Sequence, residues 1–168
     1  MRRVYLDNNA STPVLPEVLE AMRPYFAEQF GNASSIHRHG QQARAAVERA
    51  RESVAELLGC RAAEVVFTSG GTEADILALF GLMEKGDHVV TSTIEHHAIL
   101  DTAEFLEKIG FEVTRVPVDS TALIDPADVK KAIRKDTILI SIMHANNEVG
   151  TIEPVAEIGK IAKEAGIP

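Results

Sequence analysis

The chain has 168 residues, 45% hydrophobic and 25% charged, with 17 basic against 25 acidic side chains for a net charge of −8. That is enough polypeptide for one domain with a real core, and an acidic chain without a basic stripe is a poor partner for nucleic acid or an anionic membrane. A single cysteine (Cys60) rules out an internal disulfide, no apolar run approaches the roughly 18 residues of a membrane span, and the N-terminus turns polar at Asp7-Asn8-Asn9 without a signal-peptide core, so a cytoplasmic location is expected.

No repeat, low-complexity tract or linker divides the chain. A short strand is expected over residues 4–6, then a turn-rich stretch to Pro13. A helix is expected to start near Pro16, because proline suits a first helical turn; Val18, Leu19, Met22 and Phe26 share one face. Residues 30–39 read as loop and hold His37 and His39, so residues 1–40 form an irregular N-terminal arm. The next helix, 40–58, carries Ala43, Val47, Ala50, Val54 and Leu57-Leu58 at helical spacing, with Gly59 as its C-cap.

From residue 64 strands and helices alternate. Strand 64–69 precedes helix 72–83, strand 88–92 precedes helix 96–109, and strand 112–117 precedes a short helix 126–133 with Asp125 as N-cap. Strand 137–143 precedes a loop and then helix 155–165. The run Ile138-Leu139-Ile140-Ser141-Ile142-Met143 is almost wholly apolar, as in strands buried on both faces. Such alternation predicts a layered α/β fold with a parallel sheet.

In parallel sheets ligands sit beyond the C-terminal strand ends. That rule sends three polar clusters to one rim: Gly70-Gly71-Thr72, Glu95-His96-His97 and His144-Ala145-Asn146-Asn147-Glu148. The first is an anion cup, because the opening N–H groups of a helix lack internal partners and the dipole there is positive. Gly-Gly is equally a common strand-to-helix connector. The Gly-Lys-Ser/Thr of a nucleotide P-loop and the three-glycine dinucleotide spacing are both absent, which disfavours kinase, ATPase and dehydrogenase readings.

Four imidazoles, His37, His39, His96 and His97, raise the question of metal. Adjacent histidines at a helix start point in different directions and no i, i+4 pair occurs, so no metal site is expected. Helix capping, rim packing and stacking on a planar cofactor remain open for them. Asn146-Asn147 suits a plain turn, or amides bonded to a cofactor phenolate or a carboxylate. Cys60 has no identified base beside it and reads as incidental, and His144 reads as a rim or packing residue.

Five segments carry a resemblance. They are Tyr5-Leu6-Asp7-Asn8-Asn9-Ala10-Ser11-Thr12-Pro13, Phe30-Gly31-Asn32-Ala33-Ser34-Ser35, Phe67-Thr68-Ser69-Gly70-Gly71-Thr72-Glu73, Glu95-His96-His97-Ala98, and Ser141-Ile142-Met143-His144-Ala145-Asn146-Asn147-Glu148-Val149-Gly150-Thr151. In order and nearly in spacing they resemble the cysteine desulfurases of the NifS/IscS type, class V aminotransferase-like enzymes that use pyridoxal phosphate. The last segment separates this branch from the selenocysteine-lyase-like one. The resemblance covers essentially the whole chain. It implies a three-layer α/β/α architecture with a mainly parallel sheet, incomplete here, with residues 1–168 as the N-terminal portion of the cofactor-binding large domain of a fold-type I enzyme.

The resemblance also implies roles. Gly71 and Thr72 would hold the cofactor phosphate. His96 would stack on the pyridine ring as the catalytic residue of this set, and Asn147 would bond near the ring oxygen or the substrate carboxylate. The family takes sulfur from L-cysteine, leaves L-alanine and parks the sulfur as a persulfide, the cofactor acting as electron sink. The sulfur supplies iron–sulfur clusters and thiolated cofactors or tRNA, so a sulfur-acceptor or scaffold protein is an implied partner.

Family members are much longer, and the lysine that holds the cofactor covalently, the aspartate that pairs with its ring nitrogen and the sulfur-accepting cysteine have no match in this sequence. The chain alone is therefore expected to be catalytically incompetent, to bind pyridoxal phosphate weakly and without a covalent bond, and to need the C-terminal half or a second subunit. An incomplete sheet should leave an exposed apolar edge. Rival readings are a non-catalytic binding module on the same fold, or a fragment of another class V aminotransferase. Two smaller departures are Ile76 in place of a usual asparagine and a stretch over 77–88 about four residues short, close to one helical turn and so a tolerated trim.

Overall fold

The computed structural model describes residues 3–82 and 87–168. They divide into two compact units, residues 1–67 and 68–168. In the first unit, helix α1 (Pro16–Ala27) has proline in its first turn, and α2 (Arg38–Leu58) ends on Gly59 in the left-handed conformation, φ 67°. That conformation lets the Gly59 N–H close the helix onto Ala55 O and Glu56 O. The apolar stripe of α1 is present, but Val18, Leu19, Met22 and Phe26 all stay exposed. His37 caps α2, its Nδ1 accepting from Gly40 N at 3.3 Å. The loop before α2 lies so close that a Cβ on Gly40 would stand 2.2 Å from Ser35 O, which accounts for a glycine inside this helix.

Two expected strands do not form. Residues 4–6 take no ladder partner among the described residues, and residues 62–64 wind into a short 3-10 turn (Ala62–Glu64). Val65 is extended, φ −94° and ψ 121°, but its carbonyl accepts from the Arg51 guanidinium, which also lies 4.9 Å from the Phe67 ring centroid. A strand is defined by its neighbour, and β-propensity without a neighbour yields only an extended segment.

The second unit is the layered fold. Helix α3 (Gly71–Gly81) is followed by β1 (His88–Ser92), α4 (His97–Lys108), β2 (Glu112–Val116), α5 (Pro126–Ala132), β3 (Thr137–Ser141) and α6 (Val155–Ala165). The expected end of the first helix at Met83, and the trimmed stretch after it, fall on residues 83–86, outside the described residues. The sheet is wholly parallel in the order β2-β1-β3, with Val89 opposite Val113 on one side and Leu139 on the other. Every residue of β1 is buried, as a central strand covered on both faces should be.

Alternation along β1 builds the layers. Val89 packs with Leu79, Ile99, Leu106 and Leu139, under α3 and α4. Val90 packs with Val116, Ile124, Val129 and Ile158, under α5 and α6. The expected three-layer α/β/α arrangement is therefore in place. Because β2 lies on one side of β1 and β3 on the other, the strand order reverses between β1 and β3. The crevice at their C-terminal ends is a topological switch point, where open parallel sheets bind ligands.

At the opposite end of the sheet His88 is fully buried. Its Nδ1 lies 2.7 Å from Thr137 Oγ1 and its Nε2 lies 2.8 Å from Thr114 Oγ1. Thr137 Oγ1 also accepts from Arg134 N at 2.7 Å, so both ring nitrogens of His88 are held by hydroxyls inside the fold. Burial, then the positive Arg134, push the His88 pKa below its ordinary value, against weaker opposing effects of Asp136 and Glu112. A lowered folded pKa means the unfolded chain binds more protons, so stability falls as pH drops through the imidazole range. Urea unfolding between about pH 8 and about pH 5 should lose more stability in wild type than in His88→Asn. Identical pH profiles would contradict this account of the buried pair of hydroxyls.

Candidate functional site

Gly70 is the N-cap of α3 and offers no side-chain cap, so the opening amides of the helix are left for an external acceptor. A Cβ built on Gly70 or Gly71 would meet nothing within 4 Å, so a ligand can approach the backbone there. Thr68 Oγ1 donates to Gly70 O at 3.0 Å and shapes the turn. The Glu73 carboxylate folds back onto Ser69 N at 2.6 Å, and that bond holds its pKa below the usual carboxylate range. The Gly71 and Thr72 amides and the Thr72 hydroxyl are among the donors at this helix start.

His96 caps α4. Its Nδ1 accepts from Ala98 N at 3.0 Å, which fixes one ring edge and leaves Nε2 and the ring face outward. His97 follows it, 3.3 Å from Asp101 Oδ1 on the exposed helix surface, and lines both of the cavities that His96 lines. Thr72 and His96 line one cavity of about 540 Å³, floored by Ile76, Phe80 and Phe105. The two phenylalanine rings lie 6.2 Å apart. His96 also lines a second cavity of about 350 Å³ at the switch point, shared with Glu95, Asn146 and Asn147.

All three predicted clusters therefore come together around His96, although the glycine turn does not follow a sheet strand. The two asparagines separate in kind. Asn146 is buried; its Oδ1 accepts from Glu148 N at 2.8 Å and Val149 N at 3.0 Å, and its Nδ2 donates to Ile94 O at 3.0 Å. Asn147 is exposed at the cavity. His144 and Cys60 are exposed and line neither cavity.

Two residues at the second cavity carry no role in the sequence reading: Glu95, placed on the rim with its histidines, and Ala122, which was not foreseen. Glu95 is buried and its Oε1 accepts from Ser92 Oγ at 2.7 Å and Met143 N at 2.9 Å. Burial raises its pKa, with the two hydrogen bonds opposing. The signal was present in Ser92 and Glu95 at a spacing of three, beside the histidines, but the histidines drew the chemical reading. Ala122 adopts φ 62°, a left-handed position unusual for a residue with a side chain. It sits in a tight turn closed by Asp119 N donating to Leu123 O, and nothing in its residue type announced it.

A parallel three-layer fold carries an uncapped helix start and a capping imidazole at one cavity, and the chain belongs to the class-V aminotransferase family, whose family model matches residues 4–168. Within that family its relatives are more specific. Cysteine desulfurase IscS of Dictyoglomus turgidum is 56% identical over 170 residues, covering 99% of this chain and 43% of the relative. The IscS of Methanosarcina thermophila is 53% identical, covering 97% of this chain and 41% of the relative. A solved structure of SspA in complex with cysteine superposes with a TM-score of 0.91 at 45% identity, over 98% of this chain and 48% of that one. The chain spans less than half the length of these relatives.

Proposed function

We propose that this chain forms the N-terminal part of the cofactor-binding domain of a cysteine desulfurase, holding pyridoxal 5′-phosphate between the α3 cup and His96. The observation that carries this reading is that Thr72 and His96 line one cavity while His96 and Asn147 line its neighbour. The cup fits a phosphate dianion: amides with open space above Gly70 and Gly71, a hydroxyl at Thr72 and the positive end of α3. Pyridoxal phosphate supplies an electron sink for bonds broken at the substrate. The chain's own residues bind and orient. Gly71 and Thr72 take the phosphate, the His96 face lies against the ring, and the Asn147 amide bonds the ring oxygen or the carboxylate of L-cysteine.

In this reading the sulfur of L-cysteine passes to an acceptor protein for iron–sulfur clusters and thiolated cofactors, and L-alanine is the co-product. The lysine and cysteine that complete the chemistry lie outside these 168 residues. The chain by itself binds the cofactor reversibly and does not desulfurate. It works with a complementary half or a second subunit in the cytoplasm. The outer edge of β3 has no strand beside it among the described residues, and only Ile140 N, donating to Pro168 O at 3.1 Å, is bonded across it, which is consistent with that. Titration with pyridoxal phosphate, followed by its absorbance, tests the reading. Saturable binding that Thr72→Ala and His96→Ala each weaken is expected, and tight binding indifferent to both overturns the cup.

A further inference from the structure

Two loops leave the sheet at the switch point, one after β1 and one after β3. Each sends one buried polar side chain into the backbone of the other. Glu95, 7% exposed, accepts from Met143 N at 2.9 Å; Asn146, 9% exposed, donates to Ile94 O at 3.0 Å. Each is also tied within its own loop, Glu95 by the Ser92 hydroxyl and Asn146 by the Glu148 and Val149 amides. The residue that follows each is exposed and lines the shared cavity: His96 after Glu95, Asn147 after Asn146.

We propose that Glu95 and Asn146 form a reciprocal clasp and act as positioning residues, setting the spacing and orientation of His96 and Asn147 around the ligand. A buried carboxylate is a costly way to join two loops for stability alone, because desolvation offsets much of what its bonds contribute. What the clasp supplies is geometry. Both crossing bonds act on backbone atoms, so the loops cannot slide past one another without breaking one of them. Small displacements of ligand-holding groups are expensive, a shift of about 1 Å costing up to roughly a hundredfold. The identity of the ligand rests on the proposed function; the clasp itself does not.

The test uses the 168-residue chain with two probes, pyridoxal phosphate and inorganic phosphate, and the NMR resonances of the His96 ring and the Asn147 side-chain amide. Glu95→Gln keeps an oxygen acceptor and should leave both affinities within about twofold of wild type. Glu95→Ala should weaken pyridoxal phosphate about tenfold or more, in the range seen when supporting residues of a site are lost. It should leave inorganic phosphate at the cup within about twofold, and shift both resonances in the ligand-free chain. Asn146→Asp removes the Nδ2 bonds to Ile94 O and to Met143 Sδ while keeping the Oδ1 acceptor, and should act likewise; it decides the matter if Glu95→Ala does not fold.

Unmoved resonances with unchanged pyridoxal phosphate affinity in the folded variants overturn the clasp. So does an equal weakening of both probes in step with thermal stability, which is what a merely structural role gives. If wild type binds no pyridoxal phosphate, the proposed function fails, and the two resonances still decide the clasp.

Discussion

Mixing the 168-residue chain with pyridoxal phosphate and a polypeptide that carries the family's lysine and cysteine is expected to release L-alanine from L-cysteine, at a rate neither polypeptide reaches alone. The expectation is nearly all-or-none, because covalent catalysis has no partial substitute; loss of a nucleophile alone costs on the order of a millionfold in well-studied enzymes. In the balance of the reaction the acceptor thiolate forms an S–S bond to the cysteine sulfur, the carbon–sulfur bond breaks with its electron pair going to the β-carbon, and a proton taken up at that carbon completes L-alanine. Under the proposed function the present chain would contribute the cup, the ring face and the Asn147 amide. Absence of alanine from a folded, cofactor-loaded mixture would sink the proposed function.

The second large effect concerns the cofactor itself. Thr72→Ala removes a hydroxyl donor to a charged phosphate, a bond worth about 1.5–3 kcal/mol, so affinity for pyridoxal phosphate should fall about tenfold or more. His96→Ala removes a stacking partner worth about 0.5–1.5 kcal/mol beyond its area, and should also cost up to about tenfold. The two act on opposite ends of the ligand, so the losses should nearly multiply in the double variant. Inorganic phosphate distinguishes them: Thr72→Ala should weaken it and His96→Ala should not. His96→Ala also removes the α4 cap, at about 1 kcal/mol of stability, so folding is to be checked alongside.

Much of this was readable from residue order. The strands at 88–92, 112–116 and 137–141 and the helices between them lie close to where alternation and capping put them, because β-branched runs and Asp125-Pro126 each carry a local physical signal. The strand expected at 64–69 failed because its propensity is local and its partner is not. The apolar face of α1 gave the helix but not its burial, since amphipathic spacing says nothing of what covers the face.

At the site, residue type pointed to His96 and to an asparagine pair, the resemblance singled out Asn147, and geometry adds that Asn146 is buried and bonded to Ile94 O and Glu148 N. Glu95 was placed on the rim with its histidines but without a role, because the cluster was weighed for its imidazoles. Its actual surroundings, a buried bond to Met143 N contributed from 48 positions away, are a property of the fold.

The most direct measurement is amide NMR of the chain during titration with pyridoxal phosphate. Perturbations concentrated at Gly71, Thr72, His96 and Asn147, saturating together, are the predicted result. Perturbations confined to the apolar cavity of the other unit, beside Tyr25, Phe30 and Val47, or no saturation at any residue, would contradict the account.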